Sequence, residues 1–464
     1  MNLSRHQAQS LHAKLIEHFR TGKTLSLAHR ISALEKLKSN IISNQESILK
    51  ALQADFGKPQ LEAFVSEVGF ILEEINRTVA DLPVWMKPQK VCTPLMLFPA
   101  QSALHYEPRG VCLILAPWNY PFQLLLSPLV GALAAGNCVC VKPSELAPQT
   151  SKIIADLIAK TFPPEQVVCV QGGVEETTQL LELRWDHIFF TGSTPVGKIV
   201  MKAAAEFLTP VTLELGGKSP CIIDRGVPLE RSMKRIVWAK LFNAGQTCVA
   251  PDYLFVPKEL QAQCVDLFAR YVKEFYGDEP SQSSHYARIV NDRHFARLKN
   301  LLSGGTILTG GHSNSNTRYM APTILSPHSM SEPLMTDEIF GPLLPILTYS
   351  DIQEAFDFVL EREKPLAFYL FTQNSAVERH ALETISSGGA CINDAIMHLS
   401  NPHLPFGGVG NSGMGAYHGH YSFETFSHRK GVLKNSLRFE IEMRYPPYSE
   451  NQLRRIQFFQ GSKI

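Results

Sequence analysis

VCLILAPWNYPFQLLLSPLVGALAAGNCVCVKPSE, residues 111–145, opens with the most apolar run of the chain, and the way that run is broken decides the fold. Prolines at 117, 121 and 128, together with Asn119, Gln123 and Asn137, make a membrane-spanning helix a poor reading of Val111–Val141. Val111–Leu115 is instead an uninterrupted apolar run of strand length, as expected of a strand buried on both faces. Pro121–Ala135 reads as a helix with proline in its first turn, and Cys138–Val141 as a second strand.

Outward from this unit the alternation continues. A helix is expected over Pro148–Thr161, a strand over Val167–Val170, a helix over Glu175–Leu183, a strand over His187–Phe190, a helix over Thr194–Phe207 and a strand over Val211–Leu215. Short apolar strands separated by helices make a parallel sheet covered on both faces. Such sheets bind ligands at the carboxyl ends of their strands. The residues there are Trp118-Asn119, Lys142-Pro-Ser-Glu145, Gly172-Gly173, Thr191-Gly192-Ser193 and Gly216-Gly217, a set of glycines and polar groups suited to a nucleotide. A second alternation follows from about Leu215, with helices Leu229–Phe242, Glu259–Phe275 and Ile352–Glu361 and strands Asp252–Val256, Thr306–Leu308 and Ala367–Phe371. Before the first unit, Ile31, Leu34, Leu37, Ile41, Ile48 and Leu52 fall on one helical face that stops at Gly57-Lys58-Pro59. A second helix runs from about Glu62 to Ala80, and neither stripe carries a catalytic signal. Pro83–Pro108 is broken and strand-like, Phe423–Glu442 is strand-like as well, and the two are candidates to pair outside the main body.

Composition sets limits on function. The chain has 464 residues, a formal net charge of +1, 44% hydrophobic and 19% charged residues, which is ordinary for a globular protein of two or three domains. The charge balance gives no reason to expect nucleic acid or an anionic membrane as partner. Nine cysteines are scattered without a C-x-x-C pair, so neither a disulfide framework nor a metal site is signalled and a reducing, cytoplasmic setting is expected. The N-terminal residues lack the apolar core of a signal peptide. The tail after Tyr445 is polar or basic apart from Phe458-Phe459, and no membrane anchor is expected in it.

Four motifs carry candidate chemistry. In FNAGQTCVAP, residues 242–251, a glycine-rich, polar approach to Cys248 closed by proline reads as a loop presenting a sulfur; a buried, inert thiol is the plain alternative. Phe190-Thr-Gly-Ser-Thr-Pro-Val-Gly197 lies at a strand-to-helix junction, where orphan N–H groups attract phosphate, or where glycine serves a tight turn alone. Glu214, between Leu213 and Leu215, suits a general base with a raised pKa, or a structural ion pair. Lys142 and Glu145 at a strand end suit ribose hydroxyls, or a solvated loop. Gly408-Val-Gly-Asn-Ser-Gly413 matches G-x-G-x-x-G letter for letter, but no strand precedes it and no helix follows, so it reads as a mobile or closely packed loop.

Taken together, PWNYP at 117–121, KPSE at 142–145, FTGS at 190–193 with Gly197, LELGGK at 213–218, GQTC at 245–248, EIFGP at 338–342 and PFGG at 405–408 resemble the aldehyde dehydrogenase superfamily, in the family's order and over nearly the whole chain. The wording of 242–253 and 413–418 is similar to its class 3 branch, which acts on fatty or aromatic aldehydes. The resemblance implies an α/β fold of two parallel-sheet, Rossmann-like domains and a small β oligomerisation arm. Residues 1–82 and 107–213 would bind NAD or NADP, 214–416 would form the catalytic thiol domain, and 83–106 with 417–445 would form the arm of a homodimer, leaving 446–464 as a tail. It implies Cys248 as nucleophile, Glu214 as general base and Asn119 as oxyanion donor. Trp118, Lys142, Glu145, Gly192, Ser193, Gly197, Glu338 and Phe340 would contact the cofactor, and Tyr120 and Phe406 would line the aldehyde pocket. The activity implied is NAD(P)-dependent oxidation of an aldehyde to a carboxylic acid through a Cys248 thioester. Alternatives are transfer of the acyl group to coenzyme A, or nucleotide binding without turnover. A thiol hydrolase, the reading from the cysteine alone, lacks a histidine in a diagnostic context.

Overall fold

The computed structural model describes residues 4–459. Residues 1–3 of the N-terminal segment and 460–464 of the tail lie outside the described residues. Two sheets form the body. The first has strand order Gly413–Met414, Val211–Glu214, His187–Thr191, Val111–Leu115, Cys138–Lys142 and Val167–Cys169. All neighbours are parallel except the short Gly413–Met414, which runs antiparallel to Val211–Glu214 and pairs Gly413 with Glu214. The sheet reverses direction of winding beside Val111–Leu115, so the segments after Leu115 and after Thr191 flank the crevice where open α/β sheets take ligands.

The three central strands, Val111–Leu115, Cys138–Lys142 and His187–Thr191, are largely apolar and buried at every residue. The helix between the first two, Gln123–Ala135, is buried at every residue. That accounts for its near-continuous apolar sequence, which is not that of a surface helix.

The second sheet has order Gly305–Thr309, Thr323–Pro327, Leu343–Tyr349, Tyr253–Pro257, Pro220–Ile223, Ala367–Phe371 and Gly389–Ile392. It is parallel except at Gly305–Thr309. Outside both, Gln89–Val91, Gln101–Pro108 and Ser427–Lys434 make a three-stranded antiparallel sheet, in which Ser427 pairs with Pro108 and Lys434 with Gln101. The two strand-like excursions of the sequence therefore do pair. The strand expected from Phe423 begins only at Ser427, because His420–Thr425 is a helix packed on Gly131 of the buried helix.

The N-terminal helices differ from the sequence reading in two places. The face from Ile31 to Leu52 is carried by two helices, Leu27–Ser43 and Gln45–Phe56, that meet at Asn44. The helix expected over Glu62–Ala80 is Gln60–Ala63, then a π-helical turn at Phe64–Val68, then Gly69–Trp85. In the π turn the Gly69 N–H bonds to the Phe64 carbonyl, five residues back.

Candidate active site

Cys248 is delivered by strained backbone. Helix Leu229–Leu241 ends, and Asn243, Ala244 and Gly245 follow with φ of 54°, 52° and 75°. Three consecutive left-handed residues, two of them not glycine, are costly unless their surroundings hold them. The holding groups are visible. The Asn243 N–H donates to Glu62 Oε1 at 2.8 Å. Gln246 Nε2 donates to the carbonyls of Asn243 and Arg288, both at 3.0 Å, and its Oε1 accepts the Val290 N–H at 3.0 Å. The Gly245 position lies against the Gly341 carbonyl, only 2.2 Å from where a Cβ would stand. Beyond the sulfur, the Tyr369 hydroxyl donates to the Val249 carbonyl at 2.6 Å. The thiol itself is half-buried.

Asn119 meets this loop from the end of the first sheet's central strand. Its side-chain amide donates to the Gln246 carbonyl at 3.2 Å, and the adjacent Tyr120 hydroxyl shares a 2.6 Å hydrogen bond with Thr247 Oγ1. Glu214 ends the strand two places along the same sheet, buried, with neither carboxylate oxygen hydrogen-bonded. Burial pushes its carboxyl well above the usual range. Burial also pushes the Cys248 thiol up, to about 12, helped by the nearby charges of Glu338 and Glu214. Burial thus favours the neutral form of each, and a charge on Glu214 opposes ionisation of Cys248.

Two cavities approach this cluster. One, of about 270 Å³, reaches Cys248 and is lined by Phe70, Tyr120, Leu124, Trp238, Phe242, Ile396, Phe406 and Tyr417, with very little polar surface. Tyr120 and Phe406, the two pocket residues expected from sequence, are both in it. The second, of about 1070 Å³, is polar and is lined by Ser193, Thr194, Gly216, Gly217, Lys218 and Glu338 among others. Ser193 stands immediately before helix Thr194–Ala205 and makes no capping bond, so the first turn presents unpaired N–H groups there. Gly192 and Gly197 stand behind that turn: a Cβ would come 2.5 Å from the Phe190 ring at one and 2.7 Å from Leu215 at the other. Glu338 is half-buried with its Oε1 unpartnered, and desolvation and then Asp252 raise its pKa to about 8. A Cβ at Gly216 would sit 2.1 Å from Glu338 Oε2.

The remaining expected residues lie apart from the lining of these cavities. Lys142 and Glu145 are two strands away across the sheet, with Lys142 Nζ 3.4 Å from Glu145 Oε2. Trp118 and Phe340 pack edge-on at 5.3 Å, and Trp118 also meets His294 at 5.0 Å. The 408–413 glycines are closely packed rather than mobile: a Cβ at Gly408 would fall 2.0 Å from the Ser412 carbonyl oxygen. They carry a three-residue 3-10 turn and no phosphate-binding helix.

Several residues of the site escaped the sequence reading. Asp252 receives Lys218 Nζ at 2.7 Å and the Ile339 N–H at 3.2 Å, fixing the loop that carries Glu338 and Phe340. Lys218 also donates to the carbonyls of Leu334 and Asp337. Lys58, Glu62, Glu67 and Asn243 brace the Asn119 and Cys248 loops from behind. The only signal was their position: Asp252 follows the cysteine loop directly, and Lys58 stands in a helix-stop motif.

The sequence model of the aldehyde dehydrogenase family matches residues 2–432. The chain belongs to the aldehyde dehydrogenase family. A dimeric NADP-preferring aldehyde dehydrogenase of Rattus norvegicus is 48% identical over 433 residues, covering 93% of this chain and 96% of the rat protein. The structure of Staphylococcus aureus AldH in a substrate-bound state superposes with a TM-score of 0.95 at 44% identity, covering 97% of this chain and 99% of that one. PnpE in complex with nicotinamide adenine dinucleotide is 25% identical with a TM-score of 0.85, covering 94% of this chain and 91% of that one. This aldehyde dehydrogenase oxidises aldehydes with NAD or NADP as the acceptor. Its polar cavity fits such a cofactor: an uncapped helix start for a diphosphate and an orphan Glu338 oxygen that can accept from a hydroxyl. Among the described residues no helix is long and apolar enough to cross a membrane.

Proposed function

We propose that Cys248 is the nucleophile, Asn119 the oxyanion donor and Glu214 the base of this dehydrogenase, acting on medium- or long-chain aliphatic or aromatic aldehydes. The observation that carries the reading is the meeting of Cys248 and the Asn119 loop at the floor of an apolar cavity of about 270 Å³. A second cavity of about 370 Å³, which shares Val65, Phe70, Leu399 and His418 with the first, leaves room for a longer chain.

In this mechanism the Cys248 sulfur adds to the aldehyde carbonyl, and the new oxyanion takes hydrogen bonds from the Asn119 amide and the Cys248 N–H. One such donor contributes roughly 3–4 kcal/mol. The nicotinamide cofactor supplies the two-electron acceptor; Ser193, Glu338 and the first turn of helix Thr194–Ala205 would hold it, with Lys142 and Glu145 at the adenine ribose. Gly192 and Gly197, packed against Phe190 and Leu215, would lie by the diphosphate, and Trp118 and Phe340 would bound the nicotinamide end. Once the adduct is oxidised, an acyl thioester remains on Cys248. The opposition between Glu214 and Cys248 then has a use. The thioester carries no charge, so Glu214 ionises more readily at that stage than beside a thiolate, and takes a proton from the attacking water. Hydrolysis releases the acid. Glu214 favours water over coenzyme A, because a thiol has less need of a base.

We further propose that residues 1–82 with 107–213 form the cofactor-binding domain and 214–416 the catalytic one, and that 83–106 with 417–445 form the arm of a cytoplasmic homodimer. Supporting the arm is Ser427–Lys434, an edge strand with mostly exposed side chains.

The test is absorbance at 340 nm with hexanal or benzaldehyde and NAD or NADP in turn. Cys248→Ala abolishes reduction, and Glu214→Gln gives about one turnover per site and then stalls, since losing a general base costs roughly 10²–10⁴. Aldehyde oxidation at an undiminished rate by Cys248→Ala would refute the assignment. Turnover by the wild-type protein only with coenzyme A present would replace hydrolysis by acyl transfer.

A further inference from the structure

The segment 57–68 lies between the substrate cavity, which Val65 and Ser66 help to line, and the backbone of the active-site loops, which Lys58, Glu62 and Glu67 contact. Lys58 and Glu67 are both fully buried and form an ion pair at 2.5 Å. The Lys58 ammonium also donates to the backbone carbonyl of Asn119 at 3.2 Å and lies 4.3 Å from the Tyr120 ring centre. The second Glu67 oxygen accepts the N–H groups of Phe122 at 2.9 Å and Gln123 at 3.3 Å. One ion pair thus grips the loop 119–123 at both ends.

The same segment reaches the cysteine loop. Glu62 accepts the Asn243 N–H at the first left-handed residue, and Asn243 Nδ2 bridges the two loops through the carbonyls of Asn119 at 2.9 Å and Gln246 at 3.2 Å. The π turn Phe64–Val68 contains Glu67 and begins two residues after Glu62. Such turns occur often at functional sites.

For stability alone this is a poor arrangement. A buried ion pair loses solvation on both partners, and apolar side chains of the same volume frequently serve a fold as well or better. Its contacts go to the peptide that carries the oxyanion donor.

We propose that Lys58 and Glu67 are positioning residues for the oxyanion site, fixing the Asn119 peptide so that its side-chain amide points at the carbonyl oxygen under attack. The proposal rests on Asn119 being the oxyanion donor. Lys58 acts through Asn119 and touches no substrate.

The test uses the full-length protein without cofactor and para-nitrophenyl acetate as substrate. Cys248 attacks the ester, the bond from carbonyl carbon to phenol oxygen breaks, nitrophenolate leaves, and an acetyl thioester stays on the sulfur until water removes it. The burst of nitrophenolate reports oxyanion formation. Asn119→Ala lowers the burst rate constant by about 10²–10³, and Lys58→Met lowers it by at least about tenfold. In the Asn119→Ala background Lys58→Met lowers it by less than about threefold, because partners acting through one group are not additive. Alkylation of Cys248 by iodoacetamide, which forms no oxyanion, stays within about threefold of wild type in Lys58→Met.

Equal losses from Lys58→Met in both backgrounds would overturn the proposal, as would a loss of alkylation matching the loss of acylation. An Asn119→Ala protein with an unchanged burst would overturn the underlying reading of Asn119, and this proposal with it. Should Lys58→Met not fold, Glu67→Gln, whose amide oxygen still accepts the Phe122 N–H, takes its place in the same cycle.

Discussion

Replacing Glu338 by Gln tests the electrostatics of the cofactor cleft. Glu338 is half-buried, and desolvation first and Asp252 second push its pKa up to about 8 in the folded state, against 4.5 for an ordinary glutamate. The sign follows directly. The folded state keeps the proton where the unfolded state has lost it, so this group makes the fold progressively less stable as pH rises from about 4.5 to about 8. Each unit is about 1.4 kcal/mol. Integrated, the cost is about 1 kcal/mol at pH 5 and about 4 kcal/mol at pH 8. Glutamine cannot ionise, so Glu338→Gln removes this pH-dependent cost and adds a constant offset for its altered contacts. A chain of this length has an unfolding entropy near 1 kcal/mol/K. The melting temperature of the variant relative to wild type should therefore climb by about 3–4 °C between pH 5 and pH 8, read by cofactor-free differential scanning fluorimetry. Above pH 8, where Glu338 is ionised, the same variant should also raise the KM for NAD, since glutamine is a weaker acceptor than a carboxylate. A gap in melting temperature that stays constant over pH 5–8 would refute the reasoning.

Three further outcomes are expected. Glu145→Gln lowers the KM for NADP relative to that for NAD by about five- to tenfold, because it removes a negative charge from the site proposed for the adenine ribose; steady-state kinetics with both cofactors reads it. Gly245→Ala meets both a φ of 75° and the Gly341 carbonyl at 2.2 Å, whereas Gly226→Ala meets a φ of 78° with nothing within 4 Å. Both lose about 1–2 kcal/mol to the left-handed backbone, seen in thermal melts, but only Gly245→Ala should displace Cys248 and lower kcat, by at least about tenfold. Glu74→Gln, at a buried carboxyl raised to about 8, should show the same rising stability with pH.

The first sheet was legible because its three central strands are buried at every residue and its helices intervene at regular intervals; expected and observed limits differ there by a residue or two at most ends. The second sheet was legible only in part: the strands expected over Asp252–Val256, Thr306–Leu308 and Ala367–Phe371 are present, and its other four were not expected. Pro220–Ile223 follows a glycine pair with no helix before it, and Leu343–Tyr349 follows Pro342 and contains Pro345, so neither shows the punctuation that marks a strand. Both are specified by distant neighbours: Cys221 by Leu254 and Tyr369, Ile346 by Leu254. The motif residues at the cavities could be named from sequence because their local spacing is unusual. Their supports could not. Lys58 stood in a helix-stop motif and Glu67 lay within an apolar stripe, and only folding shows that they meet each other behind Asn119.

The pairing of Gly413 with Glu214 bears on when the enzyme comes into being during synthesis. The Val211–Glu214 strand is left as a bare edge until Gly413–Met414 arrives to close it. Leu215 likewise waits for the Ser412 carbonyl, to which it donates at 3.1 Å. At about 5–20 residues per second, the ribosome makes the roughly 200 intervening residues over some 10–40 seconds. Through that interval a nascent chain can already hold a parallel sheet with an incompletely framed Glu214. The proposed base is framed only near the end of translation, so a chain truncated before residue 413 would retain Cys248 and Asn119 without the strand that closes the edge beside Glu214.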